Sequence, residues 1–197
     1  MKILRKLFVF MLFFSPVFSS STLDMLDFGE HILQFKTGDG KAQIEDGFVF
    51  KAISDSDKSV LSSWSIDESI TINLRSIKHD KPNLEIINQS NREYITVQLQ
   101  PKPLGAKFIP FTLRHFDPHD LEIIVKKGGL EHSFQAQIID KETLFTWAEG
   151  DRVTIGINDS HFFKSNPSYP FVLINYDKYP LKCVVRVREF SDFTELK

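Results

Sequence analysis

From residue 31 onward the chain alternates. His31-Ile32-Leu33-Gln34-Phe35-Lys36 sets apolar against polar positions with a period of two, and the same beat returns in Phe48 to Ile53, Ser69 to Arg75, Tyr94 to Gln100, Leu121 to Val125, Val153 to Ile157 and Leu181 to Arg188. A period of two places successive side chains on opposite faces of a strand. Turn signals separate the runs: Thr37-Gly38-Asp39-Gly40, Asp55-Ser56-Asp57-Lys58, Gln89-Ser90-Asn91-Arg92, Asp117-Pro118 and Lys126-Lys127-Gly128-Gly129. No stripe of helical period lasts three turns beyond the N-terminal leader. The pattern predicts an all-β protein.

The alternation is written twice. Trp64-Ser65-Ile66-Asp67-Glu68-Ser69-Ile70-Thr71-Ile72 aligns without a gap on Trp147-Ala148-Glu149-Gly150-Asp151-Arg152-Val153-Thr154-Ile155, with an acid at the same place. Downstream, Ile86-Ile87-Asn88 faces Leu173-Ile174-Asn175. Repetition at this spacing predicts two tandem, sequence-similar β-sandwich or barrel-like units, or one pseudo-twofold sandwich. Expected boundaries are 28–100 for the first unit and 117–190 for the second. Residues 101–116 form a Pro-containing joint with an extra strand, which Pro110 is expected to confine to an edge or bulge. Trp64 and Trp147 are expected to cap the two cores from inside, with Asn88 and Asn175 as matching structural positions.

The first residues change the picture of where the chain works. Lys2, Arg5 and Lys6 precede a short apolar run, Leu7 to Phe14, which Ser15-Pro16 breaks; Val17-Phe18-Ser19 follows. This reads as a signal peptide over residues 1–19. The run falls short of the roughly 20 apolar residues a membrane helix needs, and no later stretch reaches that length. The expected location is therefore the periplasm, the cell surface or the medium. The chain holds 24 basic and 26 acidic residues. Loss of the three basic residues of the leader takes the net charge to about −5, which argues against nucleic-acid binding. Cys183 is the only cysteine, so no internal disulfide is possible, and it is expected as a small buried hydrophobe.

Candidate chemistry is sparse. His115, Asp117 and His119 would share one face of an extended segment and suit imidazole and carboxylate ligation of a metal, although Asp117-Pro118 favours a turn. Asp55-Ser56-Asp57 opens like a calcium loop but lacks the glycine and glutamate that an EF-hand requires further on. Neither a nucleophile elbow, a zinc-helix motif nor a phosphate loop is present, and no cofactor is expected.

One loop stands apart. His161 to Phe171 carries Phe162, Phe163 and Tyr169 among Ser, Asn, Pro and Lys, outside any alternating run. Its counterpart, Ile77 to Asn83, has no aromatic residue. The sequence therefore points to an exported, non-catalytic β-module protein that contacts a protein or another cell-envelope component through Phe162, Phe163 and Tyr169. The alternatives are a small exported enzyme or metal-binding protein using His115 to Asp120, and a glycan binder using Trp64 or Trp147.

Overall fold

A computed structural model describes residues 29–100, 108–117, 119–159 and 168–190. The first half runs β1 (Glu30–Lys36), β2 (Lys41–Ile44), β3 (Val49–Ala52), α1 (Asp55–Ser63), β4 (Ser69–Lys78), β5 (Lys81–Asn88) and β6 (Tyr94–Leu99). The second half runs β7 (Phe111–Asp117), β8 (Glu122–Lys127), β9 (Leu130–Ala136), a single 3-10 turn (Ile138–Asp140), α2 (Lys141–Leu144), β10 (Arg152–Asn158), β11 (Phe171–Asn175) and β12 (Val184–Glu189).

The first six strands close into a barrel. Antiparallel pairings run β1–β2–β3–β6–β5–β4, and β4 returns to β1 through His31 opposite Ile70. The predicted alternation governs its interior: Leu33, Ile44, Phe50, Ile70, Ile72, Leu74, Leu84, Ile86, Ile95, Val97 and Leu99 are all buried in one cluster. Full burial of each such aliphatic side chain is worth roughly 1.5–3 kcal/mol, which is the main term that closes the ring.

The other six strands pair in the order β7–β8–β9–β12–β11–β10, with β10 returning to β7 through Val153 opposite Phe111. Their cluster contains Leu113, Ile123, Val125, Phe134, Val153, Ile155, Leu173, Val185 and Val187. β7 is therefore paired on both sides, to β8 and to β10, and not confined to an edge as Pro110 suggested. Pro110 stands one residue before it, where no ladder bond is needed. The bulge falls later, between Leu113 and His115.

The two rings meet along β4 and β10, which run parallel with Ile157 opposite Asn73 and Asn158 opposite Leu74. Gly156 permits this approach: a Cβ there would stand 2.6 Å from the Ile72 carbonyl oxygen. The cores are not sealed from one another by separate walls. Along β11 and β12, Val172, Ile174 and Val184 pack in the first cluster, while Leu173, Val185 and Val187 pack in the second. Cys183 is buried as expected, but it faces the first cluster, apart from Val185 and Val187. Burial pushes its thiol up to about 12, so it is inert at neutral pH.

Asp55-Ser56-Asp57-Lys58, expected as a polar turn, instead opens α1. The Ser54 hydroxyl accepts from the Asp57 amide at 3.0 Å, and the Asp57 carboxylate accepts from the Ser54 amide at 3.2 Å. This reciprocal cap starts the helix. At its other end the Lys36 ammonium donates to the carbonyls of Ser62, at 2.6 Å, and of Trp64, where the negative pole of the helix favours a cation.

Candidate functional site

The aromatic loop springs from the end of the β10–β11 ladder. Phe162 and Phe163 lie outside the described residues. Tyr169 is half-buried, with the Arg188 guanidinium 5.6 Å from its ring centre. The base of the loop is clamped. Asn158 donates its main-chain N–H to the Pro170 carbonyl at 2.8 Å and its side-chain amide to the Tyr169 carbonyl at 2.9 Å. Asp159 donates its N–H to the Leu74 carbonyl at 3.1 Å, and its carboxylate pairs with Arg75. Arg75 is held in turn by Glu85, its Nε lying 2.6 Å from the carboxylate.

The two tryptophans are both buried, at 2% and 9% exposure, and their indole N–H groups are used internally. Trp64 donates to Glu93 at 3.0 Å, and Trp147 donates to the Lys182 carbonyl at 2.8 Å. A sugar needs an open ring face, so the glycan reading through Trp64 or Trp147 is corrected to a packing role. The turn after each tryptophan is bonded in the same way. Glu68 accepts from the Ser65 amide at 2.9 Å and from the Asn88 side chain; Asp151 accepts from the Ala148 amide at 2.9 Å and from the Asn175 side chain. Asn88 and Asn175 are each 0% exposed, and a neutral amide that both donates and accepts is what the site requires.

His115, Asp117 and His119 lie at the end of β7 and in the turn after it. His115 is exposed, with its Nδ1 3.6 Å from Glu149. The Asp117 carboxylate accepts from the main-chain N–H of His119 at 2.7 Å and of Asp120 at 3.3 Å, which holds it below the usual carboxylate range. The carboxylate thus shapes the turn that Asp117-Pro118 announced. Among the described residues, the group that does bring three potential metal ligands together is another one: His31, Glu45 and Asp46, whose ligand atoms lie within 4.8 Å of one another.

That group sits at the joint between the rings, and its sequence separations hid it. β1 supplies His31, the β2–β3 turn supplies Glu45 and Asp46, β8 supplies Lys127 and β10 supplies Thr154. His31 donates Nδ1–H to Glu45 at 2.9 Å and Nε2–H to the Ile155 carbonyl at 2.7 Å. A carbonyl and a carboxylate only accept, so both ring nitrogens carry protons and the ring is a cation. Burial alone would lower the pKa of His31, but the charge and hydrogen bond of Glu45, the charge of Asp46 and the Ile155 carbonyl outweigh it and raise it to about 9. Glu45 also accepts from the Ile32 amide at 3.0 Å. Asp46 pairs with Lys127 through one oxygen and accepts from the Thr154 hydroxyl at 3.3 Å through the other. Burial, then the neighbouring charge of Glu45, push the Asp46 carboxyl above its usual range. Two cations thus face two anions. A metal held by His31, Glu45 and Asp46 would have to displace a ring proton and the Lys127 ammonium, so the arrangement fits an ionic network better than a metal centre.

No protein-family model matches the chain, and no curated protein or solved structure is detectably similar to it.

Proposed function

We propose that this chain is an exported, non-catalytic double β module whose β10–β11 loop presents Phe162, Phe163 and Tyr169 to a protein or another component of the cell envelope. The observation that carries the reading is the clamped base of that loop. Asn158 and Asp159 fasten both of its ends to β10, β4 and Arg75. A loop held at its base by a rigid scaffold loses little entropy on binding. Pro167 and Pro170 restrict its backbone further.

The doubled plan belongs to the same proposal. Supporting it are the matched bonds around Glu68 with Asn88 and around Asp151 with Asn175, the mirrored strand order, and bulges in β1 between Leu33 and Phe35 and in β7 between Leu113 and His115. On this reading β7 is the counterpart of β1, and the second unit starts with it. Export rests on the leader over residues 1–19, and cell fractionation together with N-terminal sequencing of the recovered protein tests it.

The binding reading is tested by placing a photo-crosslinking residue at 162 in living cells. Attachment of a discrete envelope partner, abolished when Phe163 and Tyr169 are replaced by Ser, supports the reading. Crosslinks only within the chain, with a lower melting temperature in the Ser variant, would make the aromatics a lid on the second core.

A further inference from the structure

The joint between the rings contains a lysine ammonium set against a carboxyl with no access to solvent. Lys127 leaves the end of β8, crosses to the β2–β3 turn and meets Asp46, 81 residues away in the chain. The Asp46 side chain is 0% exposed and that of Lys127 is 19% exposed. Apolar rings close the place from two sides. The Phe111 ring centre is 5.0 Å from the Lys127 nitrogen, and Phe108 packs so tightly on Gly47 that a Cβ there would lie 2.5 Å from its ring. The Glu45 carboxylate stands 3.9 Å from the same nitrogen. The second Asp46 oxygen faces the Thr154 hydroxyl at 3.3 Å and the His31 Nδ1 at 4.0 Å.

We propose that Lys127 and Asp46 condense into an isopeptide bond that ties the two rings together. The ingredients are a nucleophile in contact with its electrophile, a neighbouring carboxylate whose charge favours the neutral form of that electrophile, and one donor, Thr154, with one cation, His31, where charge develops. The Asp46 oxygen that pairs with Lys127 takes a proton from the ammonium, and the freed amine attacks the Asp46 Cγ. The oxygen that gains negative charge is the one facing Thr154 and His31. A new Nζ–Cγ bond forms, the Cγ bond to the other carboxyl oxygen breaks, and that oxygen leaves as water with two of the three ammonium protons. An ammonium and a carboxylate become one neutral amide and one water, with no oxidant, reductant or co-reactant. Holding the reacting atoms together supplies the drive: effective molarities for well-oriented intramolecular reactions reach about 10⁵–10⁸ M.

The electrostatics of the joint favour the product. Keeping opposite charges mostly out of water is costly, and the amide removes one of each sign. The remaining charges, His31 and Glu45, still match. Burial and the charge of Glu45 already push the Asp46 carboxyl toward its neutral, electrophilic form. The chain has a single cysteine and no disulfide with which to fasten its halves, so this is the covalent staple its composition allows.

The test is the intact mass of the full-length chain, recovered from cells and denatured, beside its Lys127→Arg variant, which keeps the cation but cannot form the amide. The expected result is a mass difference equal to the substitution plus one water, with a branched peptide joining Asp46 to Lys127 in the protease digest of the wild type. A Glu45→Gln variant should then show a mixture of linked and unlinked chains. A difference equal to the substitution alone, with Lys127 and Asp46 recovered on separate unmodified peptides, overturns the proposal and leaves an ordinary ion pair. If the Lys127→Arg chain does not fold, the wild-type digest decides by itself.

Discussion

The β4–β5 and β10–β11 hairpins hold matching places in the strand order and end in opposite ways. In the first, the ladder continues to Lys78 opposite Lys81 and closes on a two-residue turn. His79 and Asp80 both take left-handed backbone there, at φ of 50° and 61°, the geometry that matches strand twist in a tight hairpin. In the second, the ladder stops at Ile157 opposite Phe171, and thirteen residues of aromatic-bearing sequence, 158–170, separate that pair. The shared ladder fixes where each tip emerges. What the tip offers to its surroundings is decided by the residues that follow, and those differ completely. On the reading proposed above, packing and presentation are separable in this molecule.

The strongest way to probe that separation is to damage what the two halves have in common. Trp64→Ala should cost about 3–5 kcal/mol, the usual range for truncating a large core side chain. Trp147→Ala, at a slightly more exposed ring, should cost no more than that. Chemical denaturation measures both, and a loss below about 1 kcal/mol at either site would remove that ring from its core.

The joint comes next, through pH. His31 has its pKa raised to about 9 from an ordinary 6.5, so the folded state binds the proton more tightly than the unfolded chain does. The stabilisation is complete below about pH 6.5 and is lost as pH rises through about 9, on the order of a few kcal/mol in total. The denaturation midpoint of the wild type should fall between pH 7 and pH 10, and His31→Gln should flatten that fall. An equal fall in the variant would place the titration elsewhere.

Gly156→Ala should cost about 1–3 kcal/mol by forcing β10 off β4. The added carbon meets backbone at the Ile72 carbonyl, which has little freedom to give way. The same substitution at Gly129, where a Cβ would meet nothing within 4 Å, is the control. The smallest expected effect belongs to the loop. Phe162→Ser with Phe163→Ser should leave the midpoint within about 0.5 kcal/mol of the wild type while partner crosslinking is lost. A large drop would join the loop to the second core and collapse the contrast between the hairpins.

Much of the barrel wall was legible because its inner positions alternate: Leu33, Ile70, Ile72 and Leu74 carry their burial in their spacing. The tryptophan turns were legible because they recur with an acid at a fixed offset. The joint was not. Thr71, Asn73 and Thr154 alternate with apolar neighbours and read as a solvent-facing side, yet all three are buried between the rings. The Thr71 hydroxyl donates to Asn73 at 2.9 Å, so the pair is satisfied internally, and sequence cannot distinguish that from hydration. His31, Glu45, Asp46 and Lys127 escaped notice because only the closure of both rings gathers them. The start of α1 could have been found. Ser54 and Asp57 stand at the spacing of a reciprocal cap, over the same stretch that opens like a calcium loop.

Ring closure also limits how another chain can attach. Among the described residues, each of the twelve strands has a hydrogen-bonded neighbour on both flanks. Many receptors and chaperones capture a peptide by adding it as one more strand to an open sheet border, using the unpaired main-chain groups there. Along the ladders only short stretches of such border remain, as at Arg114–Asp117 of β7 and Leu130–His132 of β9. On the binding reading proposed above, a partner would then meet mainly side chains and connections between strands, so its specificity would be written in the most easily changed parts of the sequence. For the same reason, copies of the folded chain crowded together have little opportunity to zip into fibrils.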